Sequence, residues 1–145
     1  MSISRKIVIG FSALTALAGS LYWVLVFTGL FPVEELVPGY QNWFMSFPIA
    51  DGWMFVCAGL AAVYAIRNHS RAVLFAPLTG ANMIFLGLYG FLYGYNTGLL
   101  FILTPDELIE IAIKVYCLSV GSLLIYHGWK LNALSMPTAI DRSHA

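Results

Sequence analysis

The stretch that decides the fold is TPDELIEIAIKVYCLSVGSLLIYH, residues 104–127, an apolar run long enough to cross a bilayer. It opens with a threonine, a proline and, three residues on, Glu107, a combination typical of a helix start. It also carries Glu110 and Lys114, and steps of three and four residues put all three charged side chains on one helical face. Such residues usually face a bundle interior or a wet cavity. The stretch therefore predicts a membrane span with one charged face.

The composition extends this interpretation to the whole chain. Of 145 residues, 60% are hydrophobic and only 10% are charged, unlike the balance of a soluble domain. The length accommodates four spans of about 20 residues with short connections. The predicted spans are 7–30, 48–66, 72–94 and 105–129, with residues 131–145 as a flexible tail. The expected fold class is all-α, a polytopic membrane protein with a single domain built as a four-transmembrane-helix bundle.

Charge and cysteine usage argue against several classes of protein. The formal net charge is zero, so nothing indicates a nucleic-acid partner, and the expected surroundings are the lipid bilayer. Cys57 and Cys117 both lie in apolar spans and form no CxxC pair, which argues against a zinc site or a disulfide oxidase. No cofactor motif is present, so neither a metal nor another cofactor is expected and no catalytic residue is assigned.

The distribution of basic residues predicts the orientation. One side of the four-span arrangement holds the basic residues Arg5, Lys6, Arg67, Arg71, Lys130 and Arg142. The other side holds Glu34, Glu35, Asp106 and Glu107, and neither of its connections carries a basic residue. Because basic residues accumulate on the cytoplasmic side, both termini are predicted to be cytoplasmic, in the cell (inner) membrane.

The longest connection between spans is rich in aromatic residues. Residues 31–47 read FPVEELVPGYQNWFMSF and contain a Pro38-Gly39 turn signal. Aromatic side chains of this density are typical of a segment at the level of the lipid headgroups. Two interpretations stay open: a short helix folded over the mouth of the bundle, or a simple interface anchor.

Counting residues from the basic boundary brings several polar groups to one depth. Asp51 lies sixteen residues before Arg67 and Lys114 sixteen before Lys130, so both are ~24 Å from that boundary. Glu110 lies one turn nearer the acidic side. We therefore expect a cluster open toward the outside, in which Asp51 or Glu110 pairs with Lys114. By the same count Trp23 and Tyr89 are candidate walls of this site, and Asn82 lies deeper, near the middle of the bilayer.

Small residues predict where helices approach closely. Gly80, Gly87 and Gly94 recur every seven residues, and Gly90 with Gly94 forms a GxxxG motif. This stripe predicts close helix packing, either inside the chain or in a homo-oligomer.

A short motif in the first half of the chain carries a family resemblance. Tyr22-Trp23, followed by Asn42-Trp43 and Ser46-Phe47-Pro48 up to Asp51, gives the pattern NWxxSFPxxD. It resembles the YvaD-like family of small bacterial four-helix membrane proteins. The resemblance implies a four-helix bundle and draws notice to Ser46, Pro48 and Asp51, but it implies no activity.

Three functional hypotheses follow from the sequence. The leading one is binding or transport of a small solute or ion, with Asp51, Glu110 and Lys114 holding charge; transport would require an oligomer, because four helices enclose little volume. The second is a structural or accessory membrane subunit in which the same three residues only fix helix packing. The third is an enzyme acting on a lipid, with an acid of the cluster as proton donor. A non-enzymatic role is preferred.

Overall fold

The structure, a computed structural model, describes residues 1–102 and 104–135, and this part of the chain contains five α-helices. They are α1 (Ile3–Phe27), α2 (Tyr40–Phe44), α3 (Pro48–Ile66), α4 (Ala72–Thr97) and α5 (Pro105–Ser135), with one turn of 3-10 helix (Leu99–Phe101) before α5. Among the described residues, four helical segments are long and apolar enough to cross a membrane: α1, Tyr40–Ile66 (α2 with α3), α4 and Glu107–Asn132 of α5. The predicted all-helical fold with four spans is confirmed.

Local signals explain most of the helix boundaries. The Ser2 hydroxyl accepts a hydrogen bond from the backbone N–H of Arg5 at the start of α1. Pro48 occupies the first turn of α3, where its missing N–H costs nothing. Gly98 ends α4 with a φ of +79°, a conformation that glycine adopts without strain. Thr104 accepts from the N–H of Glu107 at 3.3 Å before α5.

The observed helices are offset from the predicted spans at several ends. Helix α1 begins before residue 7, because the Ser2 cap lies before the basic pair, and it ends at Phe27 instead of residue 30. Helix α4 runs through Thr97 instead of stopping at Gly94, and α5 continues through Ser135. Residues 131–135 of the expected flexible tail are therefore helical, and residues 136–145 lie outside the described part of the chain.

The four long helices form a ring in the order α1, α3, α4, α5, with antiparallel neighbours. Trp23 meets Asp51 between α1 and α3, while α4 packs closely along α5. Connections therefore alternate between two ends of the bundle. The basic end carries Arg5, Lys6, Arg67, Arg71 and Lys130, and the acidic end carries Glu34, Glu35 and Glu107.

Helices α4 and α5 touch backbone to backbone at Gly80 and Gly121. A Cβ on Gly121 would lie 2.7 Å from the Gly80 carbonyl oxygen, so only glycine permits this approach. Gly87 lies against Leu118, and the stripe continues along Lys114. The predicted glycine stripe is thus covered by α5 of the same chain. A homo-oligomer through these glycines stays a prediction.

The outside of the bundle is apolar and the basic half of its inside is tightly packed. Large hydrophobic side chains such as Leu17 (73% exposed) and Ile49 (89% exposed) point outward, as they would toward lipid. A buried cluster fills the interior at the basic end: Val8, Ala61, Ala65, Ala72, Ala76 and Leu131. A polar pocket of about 310 Å³ lies at the basic end beside this cluster, lined by residues that include Arg5, Asn68 and His69. A larger and more apolar cavity lies in the acidic half.

Candidate functional site

A cavity of about 460 Å³ lies between the helices in the acidic half of the bundle. Its volume falls in the range of roughly 300–1,000 Å³ that small-molecule sites usually have. The walls are mainly apolar, and they come from all five helices; they include Phe44, Met54, Phe55, Leu86 and Cys117. An interior of this shape is large enough for the body of a small hydrophobic molecule.

The floor of the cavity is formed where α1 and α5 meet. The hydroxyl groups of Thr15 and Tyr116 lie 3.0 Å apart, within hydrogen-bonding distance, and Thr15 also contacts the sulfur of Met83 at 4.0 Å. All three residues line the cavity. Nearer the basic end the side chains of Ser4 and His127 join the same two helices at 3.1 Å. The seam between α1 and α5 is therefore held together from the basic end up to the floor.

The acidic end of the cavity is covered by α2. Trp43 stacks on Tyr93 of α4 with ring centroids 3.8 Å apart and an angle of 7° between the planes. The Tyr40 hydroxyl donates a hydrogen bond to the Glu110 carboxylate on α5. Phe44 packs on Trp23 with centroids 5.2 Å apart. Of the two sequence interpretations of this connection, the short helix folded over the bundle is the one observed.

The cavity opens sideways, between α1 and α5. Three of its lining residues are exposed, and these are Leu14 and Ala18 on α1 and Ile113 on α5. The antiparallel contact of Thr15 with Tyr116 puts Ala18 level with Ile113, one turn beyond the floor. The expected opening toward the outside is therefore wrong: aromatic residues of α2 cover that end, and the gap lies in the membrane-spanning part of the seam.

Asp51 lines the cavity but does not pair with Lys114. Its carboxylate accepts a hydrogen bond from the indole Nε1 of Trp23 at 2.8 Å. Asp51 sits in the first turn of α3, where the helix dipole stabilises a negative charge. Of the two partners predicted for Lys114, Glu110 is confirmed and Asp51 is wrong, because Lys114 finds its acidic partners on its own helix.

Lys114 is held between two glutamates of α5. Its Nζ lies 3.0 Å from Oε1 of Glu107 and 3.1 Å from Oε2 of Glu110. Glu107 is only 1% exposed, and the side chain of Lys114 is 8% exposed. The cluster expected from depth counting did not include Glu107, which the sequence analysis assigned to the helix start. The spacing of two full helical turns between Glu107 and Lys114 could have predicted this ion pair.

Two of the expected site residues lie elsewhere. Tyr89 is 43% exposed and stacks on Phe85, and it does not line the cavity. Asn82 is also outside the cavity lining, and its buried Nδ2 has no hydrogen-bond partner in the described part of the chain. Trp23, Asp51, Glu110 and Lys114 do line the cavity, so the structure brings four of the six expected residues together.

The polar groups of the cavity are few and concentrated near its covered end. Asp51, Glu110 and Lys114 lie there, with the hydroxyl of Tyr22 in electrostatic range of both carboxylates. Among residues 1–102 and 104–135, no three His, Cys, Asp or Glu side chains are grouped as a metal ion would require. The arrangement combines an apolar chamber with an anionic patch, which suits a ligand with an apolar body and one polar group.

Comparison of the chain with family models, with curated proteins and with solved structures gave no match. The resemblance to the YvaD-like family thus rests on its short motif and stays a prediction. Three residues of that motif, Trp43, Phe47 and Asp51, line the cavity.

Proposed function

We propose that this protein binds a small amphipathic molecule inside the bundle, with the apolar part between the helices and the polar part near Asp51. The observation that carries the proposal is the cavity itself. Tightly packed interiors rarely leave voids larger than a water molecule, whereas this chain keeps about 460 Å³ beside a carboxylate. An apolar chamber with few polar groups at one end is what such a ligand needs.

The position of the opening supports a ligand that arrives from the bilayer. Leu14, Ala18 and Ile113 are exposed at the lateral gap and belong to membrane-spanning helices. The route from the water phase at the acidic end is covered by Trp43 and Phe44. A molecule already dissolved in lipid can reach the cavity without crossing this aromatic cover.

Binding fits the packing better than transport does. The cavity ends at Thr15 and Tyr116, and the small side chains of Ala61, Ala65 and Ala76 close the basic half. A transported solute would need these contacts to separate. We therefore assign a binding role to a single copy of the chain, and keep the cell (inner) membrane with cytoplasmic termini as its proposed setting.

A structural or accessory role has one observation in its favour. Lys114 lies along Gly90 and Gly94, with its side-chain carbons 3.4 Å from a Cβ built on Gly90, and its charge is met by two glutamates. Packing alone accounts for these contacts. The accessory hypothesis predicts that no amphiphile saturates the cavity.

Tryptophan fluorescence can test binding directly, because two of the four tryptophans line the cavity. Trp53 and Trp129 are exposed on the outside, so replacing both with phenylalanine leaves Trp23 and Trp43 as reporters. We would titrate this variant in lipid nanodiscs with 10-bromodecan-1-ol, whose bromine quenches nearby indole rings. Binding predicts saturable quenching, while partition into lipid alone predicts quenching that rises without saturation.

A matched pair of substitutions identifies the place of binding. Ala18→Phe puts a ring into the lateral opening, whereas Ala81→Phe adds the same ring to an exposed position outside the cavity. We expect Ala18→Phe to weaken saturable quenching at least tenfold and Ala81→Phe to leave it within twofold. The proposal would be rejected if the two variants bound the alcohol with equal affinity, or if quenching in the parent protein did not saturate. Recovery of the alcohol unchanged would separate binding from the lipid-enzyme hypothesis.

A further inference from the structure

The anionic patch of the cavity has more carboxylates than cations. Among the described residues, the cavity lining includes two carboxylates, Asp51 and Glu110, and one ammonium group, that of Lys114. This ammonium group is already paired with Glu110 and with Glu107, which lies behind the lining. We propose that the cavity selects amphiphiles with a cationic head, such as alkylammonium compounds, and that Asp51 is the counter-charge. This inference rests on the proposed function and adds the chemical class of the ligand.

Lys114 is not available to neutralise Asp51. Its ammonium group already contacts Glu107 at 3.0 Å and Glu110 at 3.1 Å. Its side chain is confined along Gly90 and Gly94, which leaves little room to turn toward α3. The lysine and its two glutamates already form an anionic group, so they add to the attraction for a cation.

Asp51 keeps acceptor capacity for a ligand. An ionised carboxylate has about four lone-pair positions, and the Trp23 indole is the hydrogen-bond donor that the structure records for Asp51. The residue is partly exposed and lines the cavity, so its remaining positions can be reached from inside. In apolar surroundings a charge is weakly screened, so the Coulomb attraction between Asp51 and an incoming cation is stronger than in water.

Aromatic rings next to Asp51 suit the same head group. Trp23, Trp43 and Tyr22 all line the covered end of the cavity. Rings of this kind attract quaternary ammonium groups through their negative faces, by about 0.5–2 kcal/mol each. A sulfonate or phosphate head would instead meet both these faces and the carboxylates of Asp51 and Glu110. The cavity should therefore bind an amphiphile with a cationic head more tightly than one with a neutral head, and one with an anionic head most weakly.

Three probes with one chain length test this order. The variant with Trp23 and Trp43 as its tryptophans is titrated in uncharged, zwitterionic nanodiscs with 10-bromodecyltrimethylammonium, 10-bromodecan-1-ol and 10-bromodecane-1-sulfonate. We expect the ammonium compound to bind about tenfold more tightly than the alcohol, and the sulfonate to bind weakest. Ala18→Phe should weaken binding of the ammonium compound as much as it weakens binding of the alcohol.

Substitution of Asp51 identifies the counter-charge. Asp51→Asn keeps an acceptor for Trp23 and removes the charge, so the ratio of ammonium to alcohol affinity should fall to about one. Glu34→Gln removes an exposed carboxylate at the same end and should keep the tenfold ratio. If Asp51→Asn does not fold, the order of the three probes on the parent protein decides alone.

Failure of the inference differs from failure of the proposed function. Saturable binding of the alcohol without preference for the cation would overturn the cationic class and leave the binding role standing. If Glu34→Gln also lost the tighter binding of the ammonium compound, the cationic class would be overturned as well, because charge at the protein surface would then explain that binding. Absence of saturable binding by all three probes would remove both proposals.

Discussion

Replacing Lys114 with methionine should destabilise the folded protein by about 3–5 kcal/mol, the usual cost of removing one partner from a buried ion pair. Most of the lost stability would come from Glu107. This carboxylate is 1% exposed, and without Lys114 its Oε1 loses the ammonium group that lies 3.0 Å away. Its other oxygen, Oε2, is buried without a partner among the described residues. Glu110 is more exposed and keeps the hydrogen bond from Tyr40, so it contributes less.

Removing both members of the pair should restore most of this stability. Lys114→Met combined with Glu107→Leu replaces a buried charge pair with apolar side chains, an exchange that is often neutral or stabilising. Glu107→Leu alone should cost less than Lys114→Met alone, because Lys114 retains Glu110 as a partner. Lys130→Met provides the matched control, since this lysine of the same helix is exposed, and should change stability by less than about 0.5 kcal/mol.

The assay is reversible unfolding in mixed micelles of dodecyl maltoside with increasing dodecyl sulfate, followed by far-UV circular dichroism. A double-mutant cycle over Lys114 and Glu107 then gives their coupling energy. A cost of Lys114→Met no larger than that of Lys130→Met would contradict the buried pair. A strictly additive double variant would refute the assignment of Glu107 as the main partner.

Three further predictions concern packing, the aromatic cover and orientation. Gly121→Ala should cost about 1–3 kcal/mol in the same unfolding assay, because its Cβ would meet α4 at 2.7 Å; Gly10→Ala, with open space around its Cβ, should be neutral or stabilising, and equal effects would contradict the contact. Tyr40→Phe removes a hydrogen bond to a carboxylate and should speed amide exchange in α2 at least tenfold; unchanged exchange would mean that the stacked rings hold α2 alone. In intact cells, an impermeant thiol reagent should label Glu34→Cys and spare Ser70→Cys, and the reverse pattern would overturn the proposed orientation.

The spans could be predicted because their signals are local. Run length, the proline at position 48 and the threonine cap at position 104 each act within a few residues. The aromatic connection was harder: its residues indicated an interfacial segment, but its place over the bundle depends on Trp43 meeting Tyr93, fifty residues further along the chain. A local sequence pattern does not predict a contact between residues so far apart in the chain.

Of the two partners predicted for Lys114, Glu110 is observed, whereas Asp51 is wrong for a physical reason. Comparing depths between helices gave Asp51 as a partner, but helix periodicity already puts Glu110 one turn and Glu107 two turns away. Acidic residues one or two turns away on the same helix are close to Lys114 whatever the tertiary packing. They therefore pair with it in preference to a residue of another helix, unless they are sterically blocked. The sequence predicted four residues of the cavity lining, but it could not predict the apolar volume above Thr15 and Tyr116, which depends on how the helices pack.

The most direct test of the account is the position of a bound amphiphile in crystals grown with 10-bromodecyltrimethylammonium. Anomalous scattering from bromine locates the end of the chain without reference to any activity. We expect a bromine peak inside the cavity, near its floor at Thr15 and Met83 or at the gap beside Ala18, with the ammonium group next to Asp51. Bromine found only on the outer surface, with side chains filling the cavity, would contradict the central claim that this chamber is a binding site.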